Sequence, residues 1–131
     1  MTEKLQIWKC PLCGNMVESI RGGGGSLVCC GIYMILESEE KNGELGKNHI
    51  PVVWADQDVI TASAGQTPHP MTSEHHIEWI EIHNEQGFSQ RLFLKPGDLP
   101  QSFFQKQHSV FTVRVYCNIH GLWKGEPINV K

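Results

Sequence analysis

The feature that most constrains this chain is a group of four cysteines within its first 36 residues. Cys10 and Cys13 are separated by two residues and followed by Gly14, and a second arm is the adjacent pair Cys29 and Cys30. Two sulfurs at the first spacing can bind one metal ion, and the glycine allows a tight turn that faces backbone amides toward the sulfurs. Four thiolates from two arms suit tetrahedral zinc or iron, so we predict a segment that folds around a metal.

Other interpretations of the cysteines stay open at this point. A strained vicinal disulfide between Cys29 and Cys30, or scattered buried thiols, would also account for them. Adjacent cysteines are unusual in zinc ribbons, so the pattern indicates a metal without deciding between zinc and iron. The fifth cysteine, Cys117, makes the total odd. Free thiols are the default in a reducing compartment, and the N-terminus lacks the layout of a signal peptide, so we expect a soluble, cytoplasmic protein.

The chain divides by composition into two parts. Residues 1–36 offer few apolar side chains for a core, and residues 37–47 are polar without periodicity, which is typical of a linker or exposed loop. We therefore predict a small metal-binding domain over 1–36 and a second domain over 37–131 that begins with this linker. In the second domain, short runs of branched and aromatic residues alternate with turn formers, which predicts an antiparallel sandwich or barrel. The expected strands are 50–54, 59–63, 75–83, 91–95 and 110–117.

Charge and hydropathy exclude two classes of partner. Lys and Arg number 11 against 14 Asp and Glu, so the formal charge of −3 has the wrong sign for a protein that neutralises phosphates. No stretch approaches the roughly 18 to 20 apolar residues of a membrane span. We expect neither a nucleic-acid partner nor a membrane segment.

The last long strand places a thiol beside a possible second metal site. Phe111, Val113 and Val115 alternate with polar residues, so these three side chains should face the core. Cys117 is two residues further along and should face the core as well. Such a thiol could simply pack, because free cysteine is among the most buried residue types. His120 follows it by three residues, and a Cys-x-x-His turn at the end of a strand is a compact two-ligand hook.

Three further histidines have contexts that favour a ligand role. His49 precedes Ile50-Pro51, His69 lies between two prolines, and His75 opens an expected strand. Each alone would more often be a surface or satisfied core residue. The prolines fix the backbone beside His49 and His69, which helps to hold an imidazole in place for a metal. The remaining histidines lack such a setting, and we predict that they are surface residues: His76, His83 and His108.

Taken together, these motifs resemble desulfoferrodoxin, the two-iron class of superoxide reductase, from Ile7-Trp8-Lys9-Cys10 to His120-Gly121-Leu122-Trp123-Lys124. The resemblance implies an all-β chain. Its main part would be an immunoglobulin-like, seven-stranded antiparallel β-sandwich, preceded by a small rubredoxin- or desulforedoxin-like metal-binding domain. The family forms homodimers. It catalyses the one-electron reduction of superoxide to hydrogen peroxide without producing oxygen, and a small electron donor such as rubredoxin reduces the enzyme again.

The resemblance also implies two iron ions per chain. One would be an Fe(Cys)4 centre, held by Cys10, Cys13, Cys29 and Cys30. The other, catalytic iron would have four histidines in a plane and a thiolate on the axis. Its ligands would be His49, His69, His75, His120 and Cys117.

One departure from the family pattern concerns the residues before His49. The family usually has Glu-Lys there, the lysine steering the anion and the glutamate capping the ferric iron, whereas this chain has Lys47 and Asn48. Our hypothesis is that Lys47 supplies the catalytic positive charge, because an exposed loop could aim its long side chain at the open face of the iron. The alternative is that Lys47 is an ordinary solvated charge. Glu44 is the nearest carboxylate and a weak candidate for the cap.

Two other functions compete with this one. In the first, the chain is a rubredoxin-like electron-transfer protein whose histidine site is incidental. In the second, it is a zinc-ribbon binding module, which the acidic balance and the missing basic stripe disfavour.

Overall fold

Short extended segments dominate the computed structural model of this chain, which describes residues 1–129. Within that range lie thirteen β-strands and one 3-10 helix. They form two compact units, Met1–Ser38 and a second unit that begins at Glu39. Across the described residues, no helix is long and apolar enough to cross a membrane.

The first unit consists of five very short strands. β1 lies between β2 and β5 in an antiparallel sheet, and β3 pairs with β4. Its buried apolar side chains are Ile7, Cys10 and Met34. So small a core cannot offset the conformational entropy lost by ordering such a segment, and the unit needs a further constraint. The strands are β1 (Ile7–Lys9), β2 (Met16–Glu18), β3 (Val28–Cys29), β4 (Ile32–Tyr33) and β5 (Ile35–Leu36).

The second unit is a sandwich of two sheets. One sheet has the strand order β10-β9-β12-β13-β6, in which only the β13–β6 pairing is parallel; the other is antiparallel, in the order β11-β8-β7. Seven strands of four or more residues confirm the predicted seven-stranded sandwich, and the two-residue β6 is added at an edge. The strands are β6 (Glu39–Glu40), β7 (Pro51–Ala55), β8 (Val59–Ala64), β9 (Ile77–Asn84), β10 (Ser89–Phe93), β11 (Gln101–Gln105), β12 (Phe111–Cys117) and β13 (Gly121–Lys124).

The core lies between the two sheets and follows from period-two alternation. Ile60 on β8, Ile80 on β9 and Val115 on β12 are all fully buried there. Cys117 belongs to the same cluster, which confirms its predicted buried parity. The parity therefore brings a thiol to the inner face of the sandwich where β12 ends.

Five of the strands were expected from the sequence, and their observed ends differ by no more than two residues. β11 and β13 were not expected. In β11 the polar Ser102 faces inward with Phe104, while Phe103 is 58% exposed, so the apolar alternation is masked. The segment expected to be a linker also holds β6 and the 3-10 helix, Glu44–Asn48.

An ion pair holds the exposed strand β6 at the edge of the sheet. Arg114 on β12 is paired with Glu81 on β9 through two hydrogen bonds, Nε to Oε2 at 2.9 Å and Nη2 to Oε1 at 3.1 Å. Its Nη1 donates to Glu39 Oε2 at 3.1 Å, which ties β6 to the sheet. His83 Nδ1 lies 2.8 Å from Glu81 Oε1, and its side chain is 17% exposed, so the prediction that His83 is a surface residue is wrong.

These contacts set the ionisation of the buried carboxyl group. Burial by itself would raise the pKa of Glu81, but the hydrogen bonds from His83 and Arg114 outweigh burial and lower it. The sandwich thus contains an ionised, fully paired carboxylate that is independent of any metal ligand.

Candidate metal centres

The four cysteine sulfurs of the first unit converge on one point. Cys13 Sγ lies 3.6 Å from Cys29 Sγ, and Cys29 Sγ lies 3.9 Å from Cys30 Sγ. A tetrahedral ion with metal–sulfur bonds of about 2.3 Å requires sulfur–sulfur edges of about 3.8 Å. All five cysteines are free thiols, so the vicinal disulfide considered from the sequence is absent and the four sulfurs are not scattered.

Local backbone geometry explains how adjacent cysteines reach one point. Successive side chains of a strand point to opposite faces, and Cys29 ends β3. Cys30 adopts the left-handed conformation (φ 54°), as does Gly31 (φ 76°), and the chain turns there so that both sulfurs lie on one side. In the first arm, the Cys13 amide donates to Cys10 Sγ at 3.5 Å, which is the amide-to-sulfur contact expected of the turn formed by Cys10, Cys13 and Gly14.

The ionisation of these thiols favours a cation at their centre. A hydrogen bond from the Cys13 amide lowers the pKa of Cys10 to about 6, so this thiol is largely ionised at neutral pH. The neighbouring sulfurs of Cys13, Cys29 and Cys10 raise the pKa of Cys30 to about 12. Four thiolates can therefore coexist here only around a positive ion, and the cysteine set fits a metal.

The second set of donors forms a closed ring of imidazoles. Ring centroids are 4.6 Å apart for His49 and His69, 4.7 Å for His69 and His75, and 5.0 Å for both His75 with His120 and His120 with His49. Each neighbouring pair is edge-on, with interplanar angles between 70° and 83°. Donor atoms of His49, His69, His75 and Cys117 all lie within 4.8 Å of one another. The structure thus brings together all five ligands predicted for the second site.

Strand pairing explains why these residues meet. His49 lies two residues before Pro51, the first residue of β7, which pairs with Ala64 at the end of β8. His75 lies just before β9, where Ile77 pairs with Cys117. The two sheets therefore each deliver donors at one of their ends, and the site bridges the sheets.

Two of the imidazoles are oriented by backbone carbonyl groups. His49 Nδ1 donates to Leu45 O at 2.7 Å, and His69 Nδ1 donates to Pro70 O at 2.6 Å. In a neutral ring the other nitrogen is then an acceptor with a lone pair. The two Nε2 atoms nevertheless face each other at 3.0 Å, where neither has a proton to donate.

This arrangement fits a metal ion between the rings. His75 Nε2 is also buried, without a hydrogen-bond partner among residues 1–129. Burial and the neighbouring rings lower the pKa of His49 and His75, and lower that of His69 to about 4, so these three rings are neutral near pH 7. Buried lone pairs that face one another are costly unless a cation binds them, so the donor set fits a metal.

The thiol of Cys117 lies beside the ring and is also tuned by its surroundings. Cys117 Sγ is 3.9 Å from His120 Nδ1 and accepts the His120 amide at 3.4 Å. Burial raises the pKa of this thiol, while the amides of His120 and Ile119 partly offset that rise. A metal that displaces the thiol proton would leave a thiolate already supplied with amide donors.

The remaining sequence predictions fall outside this cluster. Lys47 and Glu44 are exposed residues of the 3-10 helix, and the Lys47 ammonium makes no ion pair within the part of the chain that the structure describes. His108 is exposed, as predicted, and His76 is partly buried, with Nδ1 3.0 Å from Thr72 O.

Sequence reasoning missed two residues that contact the ligands or their chain neighbours. The Trp123 ring stacks on His49 at a centroid distance of 4.8 Å, and its Nε1 donates to His120 O at 3.1 Å. Asn118 links the strand ends that carry His75 and Cys117. Trp123 and Asn118 lie in segments of sequence that were singled out only for their metal ligands. No rule of residue spacing identifies either residue as a support for a ligand.

Comparisons with known proteins agree with this geometry. The family model described as "Desulfoferrodoxin, N-terminal domain" matches residues 2–36, and "Desulfoferrodoxin" matches residues 39–126. A desulfoferrodoxin of Syntrophotalea carbinolica is 44% identical over 126 residues, which cover 96% of this chain and 99% of that protein. A superoxide reductase of Thermococcus kodakarensis is 34% identical over 112 residues, 70% of this chain and 96% of that one. The crystal structure of the superoxide reductase from Treponema pallidum shares the fold, with a TM-score of 0.76 at 24% identity over 96% and 100% of the two chains.

Proposed function

This chain belongs to the desulfoferrodoxin family, and from that premise we propose that it is a superoxide reductase. It reduces superoxide with one electron and two protons to hydrogen peroxide and produces no oxygen. The observation that carries the proposal is the second donor set, in which four imidazoles and one buried thiol surround a single point.

The residues divide between two iron sites. We assign the first iron to Cys10, Cys13, Cys29 and Cys30, and the second to His49, His69, His75, His120 and Cys117. Bound at the second site, ferrous iron supplies the electron and a Lewis-acidic position for the anion. The protein contributes neutral imidazoles, which leave the ion its positive charge, and amide donors that stabilise the Cys117 thiolate.

Lys47 is the residue that we propose for steering superoxide. It lies two residues before His49, and its carbonyl accepts the Thr67 amide at 2.9 Å, two residues before His69. The Lys47 backbone is thus fixed between the two loops that carry these ligands, while the side chain is exposed. A positive charge beside an anion site raises the association rate in a salt-dependent way. Glu44, at the start of the same 3-10 helix, is the available carboxylate for an iron cap.

A matched pair of substitutions tests the steering role. Lys47→Ala is expected to slow the reaction with superoxide about tenfold at low ionic strength and to flatten its salt dependence. Lys41→Ala removes another exposed charge of the same unit and serves as the control. Equal rates and equal salt slopes for the two variants would show that Lys47 is an ordinary solvated charge.

The central experiment measures iron content and reaction products together. Anaerobically purified protein is expected to hold two irons per chain and to yield one hydrogen peroxide per superoxide consumed, with no oxygen. Cys117→Ser is expected to abolish this reaction and to leave the Fe(Cys)4 spectrum unchanged. If the variant reacted as fast as the parent, the alternative of a rubredoxin-like electron carrier would replace the reductase.

Three further properties follow from the same proposal. We expect a small electron donor such as rubredoxin to reduce the enzyme again, which rapid mixing of the two proteins would detect.

We expect a homodimer, because the first unit exposes the apolar side chains Ile20, Tyr33 and Ile35, and sedimentation would measure it. We place the protein in the cytoplasm, where a reducing environment keeps all five thiols free for metal binding.

A further inference from the structure

The ligands of the second site come from separate loops, and their relative positions need a separate explanation. His75 precedes β9, while Cys117 ends β12 and His120 lies in the turn that follows. The ladder between β9 and β12 ends at the pair Ile77 and Cys117, next to a register irregularity. Regular sheet pairing therefore stops just where the iron ligands begin.

Asn118 continues the connection beyond the ladder. Its backbone amide donates to His76 O at 3.1 Å. Its side-chain Oδ1 accepts the His76 amide at 2.9 Å, and its Nδ2 donates to Glu74 O at 3.0 Å. A carboxamide offers one acceptor and two donors, so this side chain takes the place of a further strand residue.

These three bonds hold the backbone on both sides of one ligand. Glu74 and His76 flank His75, and Asn118 directly follows Cys117. Among the described residues, no backbone carbonyl accepts from the His75 ring in the way that orients His49 and His69, and the His75 Nε2 atom is buried without a hydrogen-bond partner. The direction of this ring therefore depends on how firmly its backbone is held.

We infer that Asn118 is a positioning residue, which fixes His75 against Cys117 so that both can bind the second iron. The inference rests on the proposed function for the identity of the metal, and on the three hydrogen bonds for the role of Asn118. Residues that orient metal ligands typically change metal affinity or activity by 10- to 100-fold when they are replaced.

Asn118→Leu removes both side-chain hydrogen bonds and keeps the number and branching of the side-chain heavy atoms. In the two-iron holoenzyme, we expect iron to leave the second site 10- to 100-fold faster under a chelator challenge. We also expect the thiolate-to-ferric-iron absorption band to shift, because His75 is no longer held in a fixed position relative to the Cys117 thiolate. The spectrum of the Fe(Cys)4 centre in the same sample reports whether the first unit is intact.

Asn84→Leu is the matched control, because Asn84 is the last residue of β9 and the metal site lies at the other end of that strand. Its side chain accepts the amides of Gln86 and Phe88 and donates to Gln107 Oε1. The control therefore removes three side-chain hydrogen bonds, against two in Asn118→Leu, at the end of β9 that is far from the site. We expect normal iron retention and an unshifted band in this variant.

Asn118→Asp keeps the test decisive if the leucine variant folds poorly. The carboxylate can still accept the His76 amide but cannot donate to Glu74 O, so iron loss should lie between the parent and the leucine variant. Iron retention within twofold of the parent in Asn118→Leu, or equal iron loss in Asn84→Leu, would overturn the inference. Both readouts need no superoxide, so an inactive parent that holds two irons would contradict the proposed function and leave the role of Asn118 testable.

Discussion

The two metal centres differ in what holds their donors in place. In the first unit, four sulfurs lie on two short turns, and the buried apolar side chains are Ile7, Cys10 and Met34. In the second unit, five donors lie in loops and at a strand end of a sandwich with a core of a dozen buried residues. A donor set with little core beneath it makes the fold depend on the metal, whereas a set at the ends of packed strands makes the metal geometry depend on the fold.

The strongest test of this contrast removes one thiol from the first centre. Cys10→Ser is expected to abolish the ordered structure of that unit, because the remaining core cannot offset its conformational entropy. Hydrogen exchange should show loss of amide protection throughout residues 1–38, with the strands β7 to β13 still protected. Cys117→Ser is the counterpart, and it should release the second iron while every strand stays protected.

Either of two results would break the contrast. Protection of β1 and β2 in Cys10→Ser would mean that the first unit folds without its metal. Exposure of β9 and β12 in Cys117→Ser would mean that the sandwich also needs its ion.

The next test concerns the electrostatic support that the sandwich has without metal. Glu81→Gln removes the negative charge that neutralises the buried guanidinium group of Arg114. Breaking such a buried ion pair costs about 3 to 5 kcal/mol of unfolding free energy. Glu40→Gln, at an exposed position of β6, should change it by less than about 0.5 kcal/mol. Chemical unfolding of the second unit with a chelator present would measure both values.

The effect of Glu81 should also depend on pH, with a defined sign. The pKa of Glu81 is lowered in the folded protein by its hydrogen bonds to His83 and Arg114, which outweigh burial. Its contribution is therefore fully present above the ordinary glutamate pKa and is lost as the pH falls through the lower, folded value. The difference between the parent and Glu81→Gln should be constant near neutral pH and shrink in acid. A difference that grew on acidification would contradict this assignment.

A smaller effect is expected at the loop that carries His49. Gly65 has φ +82°, and a Cβ atom there would lie 2.2 Å from Asn48 Cα and 2.5 Å from Lys47 O. Gly65→Ala must therefore displace backbone next to His49, in addition to the strain of a left-handed residue, about 1 to 3 kcal/mol. Gly87→Ala, at φ +100° with nothing within 4 Å of the added atom, carries the strain alone.

Iron retention at the second site distinguishes the two alanine variants. We expect Gly87→Ala to keep its iron and Gly65→Ala to lose it faster, because only the latter moves a ligand loop. Equal stability and equal iron retention in the two variants would show that the loop carrying His49 can shift to accommodate the added methyl group without disturbing the iron site.

The contrast also explains which parts of the site could be predicted from sequence. The ligands were predictable because cysteine and histidine at short, Pro-framed or strand-end spacings are local signals, as with Cys117 and His120. The supporting contacts were not, since Asn118 and Glu74 are 44 residues apart and meet only through the register of β9 and β12. The same holds for the partial burial of His83, which depends on a carboxylate that Arg114 holds in place.

Trp123→Phe should produce the smallest effect and sharpens the contrast most. Phenylalanine keeps the stacking on His49 and loses only the bond from Nε1 to His120 O, which is worth about 0.5 to 1.5 kcal/mol of stability. We expect full iron occupancy and a band shift smaller than that of Asn118→Leu. Trp54→Phe, on a half-exposed side chain of β7, is the control and should change neither. If Trp123→Phe lost iron as readily as Asn118→Leu, each single hydrogen bond would be critical, and the sandwich would not be the rigid frame that distinguishes the second centre from the first.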